Sequence, residues 1–376
     1  SAQDVAQAFR TAKARGVKVC AQGRGRSYGD AFLNDGGLVL DMHRMDRITD
    51  WNPKNGRVTV QPGVSLEQLW QHTITDGWWP AVVSGTQRTS IGGLVAANAH
   101  GKNNLAHGPI GDHVLGFEIV TPDGQVRQVT RESDPNLFHA AIGGFGWLGV
   151  FTSITLQTKK VYSGRVACRL WGCSSLDDHF RIFEQCNAEG QDYVVGWIDA
   201  FGRGKGLGRG QIHAASYPGP GEDPEGERLF TVKDQEPHER ILGVLPPSQV
   251  WRLARPFGNR LAMGAINTGR YLWWAGADGS KVFYETHAAF NFLLDFVPHW
   301  ERIHQPGGLI QIQLFLPKDA APATMRRALE LQQQAGLESW LIVMKRHRPD
   351  AYWLSHAVDG YSFAMDFNVR DAHREA

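Results

Sequence analysis

The chain has 376 residues, 42% of them apolar and 20% charged, with a formal charge of +1. That length predicts two domains, and the composition is that of a globular protein with no apolar run of the roughly 18 residues a membrane span needs. Lysine and arginine are spread along the chain, which speaks against nucleic acid as a partner. The four cysteines, Cys20, Cys168, Cys173 and Cys186, have no CxxC spacing. They point to a reducing, cytoplasmic compartment and away from a disulfide scaffold.

In chain order, Val5, Ala8, Phe9 and Ala12 form an apolar stripe at helical spacing after Asp4, and Gly16 supplies a stop. A strand over Val17–Ala21 then runs into a glycine loop, with further strands at Gly37–Met42 and Arg57–Gln61. Ser65 and Gln68 form a capping box ahead of the helix that carries Leu66, Leu69 and Trp70. Phe117–Thr121 and Val126–Val129 flank Pro122, Asp123 and Gly124, which is hairpin turn chemistry. The alternation to about Leu156 reads as α/β. Residues 201–226 are rich in glycine and proline and read as loops. Ile310–Phe315 alternates apolar residues with Gln311 and Gln313, a strand with one polar face. A helix over Ala321–Ala335 follows, then strands over Trp340–Lys345 and Tyr361–Phe367. The predicted fold class is α+β, with a first domain over 1–160 and an antiparallel α+β domain over 161–376.

Three glycine-rich stretches carry the functional signal. The first, GRGRSYGD, runs over Gly23, Arg24, Gly25, Arg26, Ser27, Tyr28, Gly29 and Asp30. Close glycines let backbone amides approach a phosphate, and the arginines add charge. The third glycine is one residue late for a dinucleotide G-x-G-x-x-G, no helix follows at once, and the Gly-Lys-Ser/Thr of a P-loop is missing. The second, SIGGLVAANAHGKN, sets Gly92, Gly93 and Gly101 among small residues a few positions after Gly85. The third, GGFGWLGV, holds Gly143, Gly144, Gly146 and Gly149 and leads into a strand. His100, His107 and His113 fit no common metal-ligand spacing, so no metal is expected.

These stretches resemble the FAD-binding domain of the vanillyl-alcohol oxidase (PCMH-type) family, in which two α/β subdomains clasp an extended FAD. Within it they are most similar to the group that oxidises a polyprenylphosphoryl pentose. The resemblance is strong over Ala21–Thr158 and looser over Gly307–Phe367. It implies that the first stretch holds the pyrophosphate, that Gly85, Ser90, Ile91, Gly92 and Gly93 wrap the adenosine diphosphate and ribityl parts, and that Val150 touches the adenine side. Ala97, Asn98, Ala99 and His100 would run along the isoalloxazine. Many members link FAD covalently to a histidine in the first loop; Arg26 stands there, and the second loop has no cysteine, so FAD is expected to be non-covalent.

The resemblance places His100 and Lys102 near the flavin, Gln311 and Gln313 against sugar hydroxyls or phosphate, Lys345 as a cation for phosphate, and Tyr28 against substrate. Ala364 stands where the group has a cysteine and Ser362 where it has an asparagine. The implied reaction is oxidation of the 2′-hydroxyl to a ketone, the oxidative half of an epimerisation that a separate short-chain reductase completes, with contact at the membrane face. The group continues past the point where this sequence stops and brings a second pocket lysine, so a further segment is expected. The rival readings are an alditol or sugar-lactone oxidase using oxygen, and a flavin-fold binding protein without turnover.

Overall fold

The computed structural model describes residues 1–236, 247–296, 299–305 and 307–369. Helix α1 (Ala2–Arg15) starts a turn ahead of its apolar stripe: the Ser1 hydroxyl accepts from the Asp4 N–H, the Asp4 carboxylate returns the bond, and Gly16 closes the helix at φ 63°. Strands β1 (Val19–Gln22) and β2 (Leu38–Asp41) pair in parallel. Next come β3 (Ile48–Asn52), β4 (Arg57–Val60), α2 (Leu66–Thr73), β5 (Trp78–Trp79), α3 (Ile91–Ala96) and α4 (Asn104–His107). Then follow β6 (Val114–Val120), β7 (Val126–Thr130), α5 (Pro135–Ala141), β8 (Val150–Gln157) and β9 (Lys159–Lys160).

The first large sheet has the order β3-β4-β8-β6-β7, and every neighbouring pair in it is antiparallel. The alternation read as α/β is corrected to that extent, since among the described residues only β1 and β2 run parallel. For β6 and β7 the reason is local: the Thr121–Gln125 turn, closed by the Thr121 N–H on the Gln125 carbonyl, is too short for the crossover a parallel pair requires. Val58, Trp70, Trp79, Ile91, Phe117, Phe138 and Ile154 fill the core on this sheet, joined by Ala288, Phe292 and Tyr352 from much later in the chain.

The second half contributes β10 (Arg165–Cys173), α6 (Leu176–Ala188), β11 (Tyr193–Ile198), β12 (Gly210–Ser216), α7 (Val232–Gln235), α8 (Pro247–Ala254) and α9 (Arg260–Trp274). After these come β13 (Phe283–Thr286), α10 (His287–Asn291), β14 (Leu309–Pro317), α11 (Ala321–Ala335), β15 (Leu341–His347) and β16 (Gly360–Asn368). The seven strands order as β13-β10-β12-β11-β15-β16-β14, antiparallel throughout. Part of the predicted 201–226 loop is therefore an interior strand. The Gly-rich run before it obscures the short Gln211–Ile212–His213–Ala214 alternation of β12, and a Cβ on Gly210 would fall 1.9 Å from the Trp197 carbonyl oxygen.

Strand alternation gives this sheet two unlike faces. One is apolar: Cys173, Ile212, Ala214, Ile198, Met344, Phe363 and Met365 pack against Leu176 and Phe183 of α6 and Met325 and Leu329 of α11. The opposite face, by the same register, presents Glu285, Cys168, His213, Trp197, Lys345, Ser362, Asp366, Gln311 and Gln313. Titratable groups on a sheet face that is not turned to bulk water need partners or a ligand. That face is where the glycine loops arrive.

Candidate active site

The first glycine loop meets the second at Gly23, where a Cβ would lie 2.2 Å from Ser90 Oγ. A side chain there would push the Ser90 hydroxyl aside. Arg24 is committed to the protein, its Nε 3.2 Å from the Gly63 carbonyl and its terminal nitrogen 2.9 Å from Gln68 Oε1 in the α2 capping box. Arg26, by contrast, is exposed and borders a cavity of about 250 Å³ with Gly25, Ser27, Tyr28, Arg88 and Trp300. Gly29 and Asp30 are exposed on the same loop.

In the second loop two amides are already used, Ile91 N–H by the Val64 carbonyl and Gly92 N–H by the Pro62 carbonyl, whereas Gly93 is exposed. The Gly85 carbonyl accepts from Leu294, and Asp295 accepts from the Thr86 hydroxyl and the Gln87 N–H at 2.8 Å each. Asn98 adopts a left-handed backbone at φ 43°. Its buried side chain donates to Asp350 and accepts from the Gly111 N–H, both at 3.1 Å. Asn98 is thus a clamp that turns Ala97 and Ala99 and delivers His100, with its own side chain taken up by protein. The third loop docks on the second through Gly143 N–H to Val95 and Phe145 N–H to Ala96. Val150 opens β8 beside a cavity of about 710 Å³ bounded by Val19, Ala21, Phe145 and Trp147, within the ~300–1,000 Å³ usual for ligand sites.

His100 is the meeting point of loop and sheet. Gln313 Nε2 lies 3.1 Å from His100 Nε2; an amide N–H can only donate, so Nε2 accepts and the ring proton sits on Nδ1. That Nδ1 is buried and has no partner among the described residues. Burial, then the charges of Lys345, His347 and His356, hold its pKa well below the ordinary histidine value, so His100 is neutral. His100, His347 and His356 surround Phe315 at centroid distances of 5.6, 5.2 and 4.4 Å.

Lys345 stands opposite Ser362 in the β15–β16 register, and burial pushes it down to about 8 with no carboxylate offsetting the loss. The Lys102 ammonium donates to the Phe290 carbonyl and sits 4.6 Å over the Phe290 ring. Burial, followed by the Lys345 charge, brings it to about 7, with Glu285 pulling the other way. Gln311 donates to Asp366 at 2.6 Å, and burial raises that carboxyl. Tyr28 lies edge-on to Trp300; burial and the nearby Asp366 and Glu301 carboxylates raise its phenol.

Several members of this face escaped sequence reading. Asp366, His213, Glu285, His347 and His356 lie in strands and loops that offered no motif. Ala364 leaves its own position without a thiol, and Cys168 supplies one elsewhere on the face. The donor atoms of Cys168, His213 and Glu285 lie within 4.8 Å of one another, with Lys102 as the neighbouring cation. His107 instead pairs with Asp192 at 2.7 Å, and His113 with the His107 carbonyl at 2.9 Å.

Residues 1–130 match the family model described as FAD binding domain. The chain carries a PCMH-type FAD-binding domain. A decaprenylphosphoryl-beta-D-ribose oxidase of Mycolicibacterium smegmatis is 28% identical over 363 residues, covering 96% of this chain and 76% of the relative. The mitochondrial L-galactono-1,4-lactone dehydrogenase of Arabidopsis thaliana is 32% identical over 38% of this chain and 23% of its own length. Cytokinin dehydrogenase 7 of rice is 27% identical over 60% of this chain and 48% of its own length. FAD is the cofactor, and the chain is an FAD-dependent oxidoreductase of the type acting on CH–OH groups. The close approach at Gly23, the cavity beside Val150 and the unpartnered His100 Nδ1 all fit that group. Among the described residues no helix is long and apolar enough to cross a membrane.

Proposed function

We propose that the chain oxidises the 2′-hydroxyl of a polyprenylphosphoryl pentose to a ketone, as the oxidative half of an epimerisation. In this reading residues 1–160 form the two-subdomain, non-covalent FAD site and residues 161–376 hold the substrate. The observation that carries it is the sheet face bearing Lys345, Gln311 and Gln313, met by the glycine loop that carries His100 and Lys102, with Gln313 bonded to His100. When bound, FAD supplies the hydride acceptor at its N5. The chain's own residues do the rest. The His100 Nδ1–H donates to an oxygen beside the flavin and fixes the reacting carbon. Lys102, near 7, takes the hydroxyl proton as a free amine. Lys345, near 8, is mostly charged at neutral pH and pairs with the phosphate. Gln311 and Gln313 bond the sugar hydroxyls, and Tyr28 closes the cavity edge. The ketone then passes to a separate short-chain reductase.

A second reading, a soluble polyol or sugar lactone oxidised with oxygen as acceptor, draws support from the likeness to L-galactono-1,4-lactone dehydrogenase. Anaerobic bleaching of the bound flavin separates the two. Bleaching by a polyprenylphosphoryl pentose and not by alditols or lactones is the expected result; the reverse would replace the first reading with the second, and no bleaching by any of them would overturn both.

A further inference from the structure

The segment Trp251–Ala275 contains four arginines, Arg252, Arg255, Arg260 and Arg270, and no acidic residue. Within it α9 has two faces of different kinds. The inner face is tied down. Arg260 reaches Glu338 at 2.6 Å, buried Asn267 donates to the Met263 carbonyl, Thr268 accepts from Arg209 at 2.7 Å, and Arg270 stacks 4.3 Å over Trp197. Trp197 belongs to the pocket face of the second sheet, so α9 roofs that face. The outer arc comprises Leu261, Ala265, Ile266, Gly269, Leu272 and Trp273, all exposed, with Leu261 at 84% and Trp273 at 79%. It carries no charge and no hydrogen-bonding side chain apart from the indole. Leu253 and Phe257 are likewise exposed in the segment just before the helix, as are Arg252 and Arg255.

A soluble helix ordinarily turns its polar face to water. Here the polar side chains Arg260, Asn267, Thr268 and Arg270 are engaged by the protein on one side, while the opposite exposed arc is apolar and ends in Trp273. That is the pattern of a helix lying in a bilayer interface, where apolar side chains enter the acyl boundary and basic ones meet anionic headgroups. We infer that the outer arc of α9, with Leu253 and Phe257, docks on an anionic lipid surface and holds the roof of the pocket against the membrane. The inference rests on the lipid-linked substrate proposed above and says how that substrate arrives: its polyprenyl tail stays in the bilayer while the phosphosugar passes beneath α9. A second copy of the chain is a poorer occupant, because two such surfaces would set Arg252 and Arg255 against their own like charges.

The test is co-sedimentation of the FAD-loaded protein with phosphatidylglycerol vesicles, against phosphatidylcholine vesicles and at rising salt. Binding to the anionic vesicles is expected, weakened by salt and at least about tenfold lower for both Leu272→Asp/Trp273→Asp and Arg252→Glu/Arg255→Glu. Flavin reduction by a short-chain, water-soluble phosphoryl pentose should be unchanged in both variants, which also shows them folded. No binding to anionic vesicles overturns the inference. So does equal binding of the variants, or a dimer that the aspartate variant splits. Loss of the soluble-substrate reaction in the parent would instead strike the proposed function and leave vesicle binding standing.

Discussion

Lys102 offers the sharpest test of how this pocket handles protons. An ordinary lysine titrates at 10.5, and burial with the Lys345 charge brings Lys102 to about 7. At 1.36 kcal/mol per tenfold change, that drop costs the ammonium roughly 5 kcal/mol. About half of Lys102 is then a free amine at pH 7, against roughly one part in three thousand for an exposed lysine. The anaerobic flavin-reduction rate at saturating substrate should therefore rise about tenfold per pH step below 7 and level off above it. Lys102→Met should lose roughly a hundredfold or more and flatten that limb. Glu285→Gln removes the carboxylate that holds the Lys102 proton on, so the limb should move to more acid pH. A fixed limb in Glu285→Gln, or an unaltered rate and profile in Lys102→Met, would refute the assignment. Stability gives an independent reading. Because the folded pKa lies below the unfolded one, the unfolded chain binds the proton first as pH falls from 10.5 to about 7, so this group costs stability over that window and below it. Lys102→Met should thus gain stability over the parent near pH 7, by a margin that shrinks toward pH 10 in denaturant melts.

His100→Ala should retain FAD yet reduce it at least about a hundredfold more slowly; loss of the flavin, or an unchanged rate, would make His100 a packing residue. Lys345→Ala should raise KM for a phosphorylated substrate far more than it lowers kcat, and an equal change with an unphosphorylated sugar would remove its role as the phosphate cation. Acid precipitation should leave the flavin in the supernatant if, as the resemblance implies, Arg26 takes the position of the linking histidine; colour in the pellet would show a covalent bond elsewhere.

Local signals in this sequence were legible where the chemistry is local. The Ser65–Gln68 capping box, the stop at Gly16 and the limits of α11 needed only short-range hydrogen bonding and helical spacing. The glycine loops announced themselves because close approach crowds out a side chain, as at Gly23. What could not be read was long-range. The pairing of β4 with β8 joins Arg57 to Gln157, and nothing in either strand names the other. The buried strand β11 lacks polar–apolar alternation because both of its faces are covered. The basic, apolar run of α9 was overlooked within an even overall charge.

The candidate site depended on the same distinction. Gln311 and Gln313 were found because a polar residue at every second position of an apolar strand is conspicuous. Asp366 was missed although it sits on a strand already predicted, because a single carboxylate on β16 carries no pattern until β14 pairs beside it and brings Gln311 within 2.6 Å. Cys168, His213 and Glu285 come from three strands separated by 45 and 72 positions, and only the order β13-β10-β12 makes them neighbours. Their proximity also explains why Lys102 had to be judged in the fold. Its chemistry follows from burial against Phe290 and from Glu285, and neither is visible from the glycine loop that carries it. Two residues along that loop, His100 is neutral for a similar reason. Burial with Lys345 and His347 of the sheet and His356 of the loop before β16 beside it, in place of a carboxylate, holds its pKa well below the ordinary histidine value.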